Sequence, residues 1–200
     1  MKVLALELST TLGSLAWLDE GHAATRREWP NDRRNSGLFF ENLADVAKKL
    51  GPPDTIIVGL GPGSYAGTRI AISAAIGLQA SSGARLIGFP SICTLDSEAH
   101  EYFVIGDARR RCFFFAHIRR NNLVGEPALL SDVELRLKLA NIEGTTAIFT
   151  SDPLPRFERA VLRFPSARIL AILAQQPHRS FSLPPLEPIY LREPHITLPK

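Results

Sequence analysis

The residues best suited to chemistry by type and spacing lie in one segment, Gly59-Leu60-Gly61-Pro62-Gly63-Ser64-Tyr65-Ala66-Gly67. Glycine amides without Cβ obstruction, followed by a helix, suit a phosphate or another anion. A tight structural turn accounts for the same glycines equally well. The known phosphate loops do not fit: no Gly-Lys-Ser/Thr follows at the Walker offset, and Gly61, Gly63 and Gly67 space as G-x-G-x-x-x-G. Glu7 and Asp107 each end an apolar run, and two carboxylates facing a cleft could hold hydrated magnesium; alternatively each bonds the amides of its own turn. The histidines contain no i+3 or i+4 pair and the cysteines, Cys93 and Cys112, form no C-x-x-C, which argues against a protein-held metal. Ser64 and Cys93 have no base nominated by sequence, so a turn hydroxyl and a small core residue are the plainer readings.

The elements that must position these residues follow from the hydrophobic pattern. Residues 3–8, 14–18 and 23–29 read as antiparallel strands, with Asp19-Glu20-Gly21 a hairpin turn. Phe39, Leu43, Val46 and Leu50 recur at helical spacing over 36–50, with Ser36 a candidate cap and Gly51-Pro52-Pro53 a stop. After a strand at 55–58 and the glycine loop, residues 68–80 form a second helix capped by Thr68. Ile72 and Ile76 occupy one side of it, and Ala71, Ala74, Ala75 and Leu78 another, so it is wholly buried or touches another chain. Further strands are predicted at 85–89, 102–107, 112–118 and 146–150, a short helix from Ser91, and helices at 131–140, 157–163 and 169–175. The β-then-α order restarts near residue 100, which predicts two lobes, 1–100 and 101–200, the second smaller and with a proline-rich tail. Trp17, Trp29 and Phe113-Phe114-Phe115 are expected in the core.

Composition bounds the class. A chain of 200 residues, 45% hydrophobic and 22% charged, can bury a substantial core, which excludes disorder. No apolar run reaches the roughly 18 residues of a membrane span, and Glu7 interrupts the region where a signal peptide needs unbroken apolarity. A reducing cytoplasm and no membrane are therefore expected. A net charge of +3 is too small for a chain that wraps nucleic acid unaided. Arg109-Arg110-Arg111 and Arg119-Arg120 flank one apolar run, either as a solvated edge or as a phosphate or protein contact.

These residues resemble the TsaB family, also called YeaZ, a subunit of the bacterial machinery that makes threonylcarbamoyladenosine in tRNA reading codons that begin with A. The match is carried by Leu4-Ala5-Leu6-Glu7-Leu8-Ser9-Thr10, by Gly61-Pro62-Gly63-Ser64-Tyr65-Ala66-Gly67-Thr68-Arg69-Ile70 against G-P-G-S-[FY]-T-G-[VL]-R, by Ile105-Gly106-Asp107-Ala108-Arg109 against I-D-A-R, and by Glu187-Pro188-Ile189-Tyr190-Leu191-Arg192 against E-P-x-Y-L-R. Departures are Glu7 for Asp, Asn35-Ser36 for His-Ser or His-Thr, Ala66 for Thr, and a shorter second lobe. The resemblance implies the actin-like, Hsp70-like ATPase fold of the ribonuclease H-like class (the ASKHA fold), with two related α/β lobes. It also implies a non-catalytic subunit that pairs with TsaD through first-lobe helices, with TsaE and tRNA joining the assembly, and that homodimerisation in isolation is open. That points to helices 36–50 and 68–80 as the docking surface, and because the bulkier isoleucines gain more by burial on their own sheet, the partner interface is expected at Phe40, Ala44, Ala47, Ala71, Ala74, Ala75 and Leu78. It leaves Gly61, Gly63, Ser64 and Gly67 as candidate anion contacts and Glu7 and Asp107 as candidate cleft carboxylates. ATP or ADP and any metal are then expected on partner subunits or the assembled interface, with none on the chain alone. Two other readings compete: an autonomous ATP-binding small-molecule kinase of the same fold, and a glycoprotease-like metallopeptidase, which the absent ligand pair disfavours.

Overall fold

The computed structural model describes residues 1–19, 25–31 and 37–191. The expected turn residues Glu20 and Gly21, the Asn35-Ser36 pair with its cap, and Arg192 lie outside the described residues. Strands β1 (Val3–Glu7), β2 (Leu12–Leu18), β3 (Thr25–Pro30), β4 (Thr55–Gly59) and β5 (Arg85–Phe89) form a five-stranded sheet in the order β3-β2-β1-β4-β5. β1 pairs antiparallel with β2 and parallel with β4. Helix α1 (Gly37–Leu50) connects the antiparallel part to β4, and α2 (Tyr65–Ser82) carries the crossover to β5.

The apolar run of β1 is continuous because both sheet faces are covered. Leu4 and Leu6 pack with Phe39, Leu43 and Val46 of α1 and Ala71 and Ala75 of α2. Val3 and Ala5 face the other way, onto Leu170 and Ala171 of α4 (Ala167–Ala174) and onto Tyr102 and Val104 of the second sheet. A strand buried on both faces gains nothing from polar alternation.

The second sheet contains β6 (Glu101–Asp107), β7 (Cys112–Arg119), β8 (Asn122–Leu123), β10 (Ala147–Thr150) and β11 (Ala160–Leu162) in the order β11-β10-β6-β7-β8, with β9 (Ala128–Ser131) also on β7. β6 is antiparallel to β7 and parallel to β10, and β10 is parallel to β11. The path β7-β6-β10-β11 thus repeats β2-β1-β4-β5 in order and direction, and α3 (Asp132–Ala140) takes the place of α1.

The counterpart of α2 is missing. Residues 157–163, expected as a helix, instead make a turn and then β11, which pairs Ala160, Val161 and Leu162 with Ile148, Phe149 and Thr150. Pro153, Pro155 and Pro165 leave a stretch too short to nucleate a helix on its own, and the open edge of β10 supplies parallel hydrogen bonds instead. Chain beyond residue 165 also leaves the second sheet. Helix α4 packs on the first sheet, and Ser182 bridges to Gly88 of β5. Trp17, Trp29 and Phe113 to Phe115 are buried as expected, as is Cys93, whereas Cys112 is half-buried.

Candidate functional site

A cleft of about 530 Å³ separates the two sheets. One wall is the β1–β2 turn at Ser9, Thr10 and Thr11 with Gly63, Ser64 and Thr68. The opposite wall is made by the β6–β7 turn at Asp107 and Arg109 and the turn after β10 at Ser151 and Asp152. Residues 188–191 close the rim, where Tyr190 lies on Tyr65 with ring centroids 5.5 Å apart and the Arg69 guanidinium sits 5.0 Å from the Tyr65 centroid.

The glycine loop is built for close backbone packing. A Cβ at Gly63 would stand 2.1 Å from the Ser9 carbonyl oxygen, and one at Gly67 2.0 Å from that of Leu8. Helix α2 starts at Tyr65, earlier than the expected Thr68, and Ser64 caps it, its hydroxyl accepting from the Gly67 amide at 3.3 Å. The Ser64 amide donates to the Ser9 carbonyl at 2.6 Å, and the Gly61 amide to the Ser91 hydroxyl at 2.9 Å. The amides of Gly61, Ser64 and Gly67 are therefore already bonded inside the protein, so three of the four residues expected as anion contacts use their amides to hold the turn.

The two carboxylates do not converge. Glu7 is fully buried, does not line the cleft, and runs beneath Gly59, where a Cβ would come within 1.8 Å of its Oε2. Its Oε1 accepts from the Ser9 amide at 2.7 Å, whereas Oε2 and the buried Ser9 hydroxyl have no hydrogen-bond partner of sound geometry. Burial pushes the Glu7 carboxyl above the usual glutamate range, against the hydroxyls and amide of Ser9 and Ser91 beside it, which act to lower it. Asp107 does face the cleft, with Oδ1 accepting from the Arg109 amide at 2.7 Å and Oδ2 lying 3.3 Å from the Arg109 guanidinium. Each carboxylate thus bonds an amide two residues on, the plainer of the two readings of the sequence. Asp152, which sequence did not single out, accepts from the Asp107 amide at 3.2 Å. Among the described residues no group of three or more His, Cys, Asp or Glu could hold a metal. A nucleotide, which this fold class implies, is a poor fit here: the amides of Gly61, Ser64 and Gly67 are occupied, no lysine stands in the loop, and one of the expected carboxylates is turned into the core.

The arginines do not form one patch. Arg109, Arg110 and Arg111 take left-handed φ values of 65°, 53° and 60° in the β6–β7 turn, whereas Arg120, with φ 48°, belongs to the turn at the other end of the eight-residue β7. A strand of that length holds the two turns about 25 Å apart. Arg119 is held by Glu101 at 2.9 Å.

The helices show where the interface assignment needs correction. On α2, Ala71 and Ala75 have no exposed surface and pack in the core of their own lobe, and Ala74 and Leu78 are half-buried against it. The small side chains allow α2 to lie close on β4 and β1. The outward face of α2 instead presents Ser73, Ile76, Gly77 and Ala80, with Ile76 49% exposed. On α1, Phe40 is 50% exposed and Ala44 is exposed, while Ala47 is half-buried. Among the described residues no helix is long and apolar enough to cross a membrane.

No known family profile matches the chain. A curated relative, an uncharacterized protein of Mycobacterium leprae (strain TN), is 28% identical over 160 residues, which cover 76% of this chain and 42% of the relative. The chain thus spans less than half the length of the curated relative it matches. Among solved structures, an uncharacterized protein with similarity to peptidase YeaZ from Pseudomonas aeruginosa superposes with a TM-score of 0.73 at 22% identity, over 96% of this chain and 99% of that one. YeaZ from Pseudomonas aeruginosa gives a TM-score of 0.67 at 22% identity, over 86% and 90%. Two mixed sheets of repeated strand order with a cleft between them, superposing on YeaZ over most of their length, give this chain the fold of YeaZ, a two-lobed α/β architecture in which the second sheet lacks a counterpart of α2.

Proposed function

We propose that this chain is a TsaB-type partner subunit, which docks on TsaD through the outer faces of α1 and α2 and has no catalytic role of its own. The observation that carries this reading is the uncovered face of α2. Ile76 stands half in water among Ser73, Gly77 and Ala80, small residues that let a second helix approach closely, while Phe40 and Ala44 expose a similar face on α1. The site residues support a scaffold over a kinase, because the loop and Glu7 are engaged in packing. In this reading ATP or ADP and any metal reside on TsaD, on TsaE or at the assembled interface, and tRNA is engaged through the complex. The test is co-purification with the cognate TsaD, followed by a threonylcarbamoyl-transfer assay with and without this chain. The reading expects a stable pair and transfer that requires both proteins. Failure to pair, or full transfer by TsaD without this chain, overturns it.

A further inference from the structure

We propose that a second copy of this chain docks on α3, antiparallel to the first α3, through Val133 and Leu137. This contact is separate from the α1–α2 face and does not rest on the subunit reading.

Leu135 and Leu139 are the buried residues of α3, whereas Val133 and Leu137 are 67% and 63% exposed, the two most exposed large apolar side chains among the described residues. Spaced four apart, they form one stripe along the helix. Asp132 and Arg136 run along one flank of that stripe, held together at 2.8 Å, and Glu134 and Lys138 run along the other. The acidic residues occupy the first turn, capped by Ser131 with Glu134 in a capping box, and the basic residues follow them.

This arrangement is complementary to itself in one orientation. A two-fold axis perpendicular to α3 sets Val133 of one copy against Leu137 of the other, and brings each flank against the same flank running in the opposite direction. Asp132 then lies beside Arg136 of the second copy, and Glu134 beside Lys138, twice over by symmetry. A parallel pairing would oppose acid to acid and base to base, so the charges select the antiparallel register. Arg136 and Arg156, 2.8 and 3.1 Å from Asp132, already share that carboxylate, so the charges set the register while the Val133–Leu137 stripe supplies the contact. A helix of nine residues is only about 13 Å long, so the contact belongs to the weak, transient size class.

Sedimentation equilibrium between about 10 µM and about 1 mM spans the range in which contacts of this size dissociate. The wild-type chain is expected to self-associate reversibly. Val133→Lys and Leu137→Glu, both at exposed positions and each checked for folding by circular dichroism, should each weaken association about tenfold or more, because each homodimer then contains two unpaired charges. Mixed in equal amounts, the two variants should associate again, since the antiparallel register places Lys at 133 against Glu at 137 of the partner and leaves a Leu–Val contact in the other half. Should Leu137→Glu fail to fold, Arg136→Glu with Asp132→Arg provides the same mixing test on one flank. A wild-type chain that stays monomeric throughout, self-association unaffected by Val133→Lys and Leu137→Glu, or variants that fail to recover on mixing would each overturn the proposal.

Discussion

Two adjacent residues of α2 give the sharpest separation of core from docking face, because the structure assigns Ala75 and Ile76 opposite environments. Ala75 is fully buried among Leu4, Leu6, Ile56 and Val58. Arginine in its place must bury a charge with no acidic partner, at about 3–5 kcal/mol, and force extra volume into a packed core, at about 1–3 kcal/mol more. Set against the roughly 5–15 kcal/mol of a typical domain, Ala75→Arg should leave little or no folded protein at 37 °C. Ile76 is 49% exposed, so its replacement loses only part of a side chain's burial and the arginine stem covers some of the same surface. Ile76→Arg should cost under about 1 kcal/mol of stability. In a close helix–helix interface, however, the same charge would be buried unpaired, weakening docking by about 2–5 kcal/mol, or roughly 30-fold to several thousandfold. Circular dichroism melting measures the first effect, and size-exclusion chromatography with TsaD the second. A Ala75→Arg protein that melts with the wild type would refute the core placement. Ile76→Arg pairing normally with TsaD would refute the α2 face as the docking surface.

The glycine loop predicts that Gly63→Ala and Gly67→Ala each destabilise by about 2–4 kcal/mol, since their Cβ atoms would meet carbonyl oxygens at 2.1 and 2.0 Å and backbone on both sides must move; chemical denaturation of each variant checks this. For Glu7, a folded-state pKa raised above the unfolded value means that the native state binds the extra proton, so wild-type stability should fall as pH rises from the unfolded value up to the folded one and then level off. Glu7→Gln, which keeps the shape and removes the titration, should lack that decline, and urea midpoints across pH compare the two. Calorimetry should show no micromolar ATP or ADP site on the isolated chain; a site that depends on Asp107 would favour the kinase reading. Neutralising Arg110 and Arg111 should leave the salt dependence of RNA binding by an assembled complex unchanged, because they and the Arg119-Arg120 pair stand at opposite ends of β7 and form no single patch.

Periodicity made the first lobe readable because its local and tertiary preferences agree. Phe39, Leu43 and Val46 are buried on α1 at the expected spacing, and Gly51 follows the last turn. Agreement fails at α2, where alanines and isoleucines are interleaved all round the helix and carry almost no directional signal. Small side chains permit close approach to β1 and β4, so Ala71 and Ala75 lie inward together with Ile72, while Ile76, expected on the same side as Ile72, lies outward, opposite to the expected alanine docking face. Residues 157–163 were misread for a related reason, since their helical composition is outweighed by an open parallel edge that sequence does not display. Asp152 and Tyr190 reach the cleft through contacts 45 and 125 residues distant in the chain, Asp152 to Asp107 and Tyr190 to Tyr65, and no local pattern announces such pairs.

Glu7 belongs to the packing beneath the cleft and does not line it. At the end of β1 a carboxylate aimed at the cleft would need to stay charged and reachable. Here the side chain lies under Gly59, takes one amide from its own turn, and is buried so completely that desolvation favours the protonated acid despite the Ser9 and Ser91 hydroxyls beside it. The same turn supplies the Leu8 and Ser9 carbonyls on which Gly67 and Gly63 pack, so β1, its turn and the glycine loop behave as one packed unit. That unit fixes the angle at which α2 leaves the sheet, and α2 carries the uncovered face at Ile76.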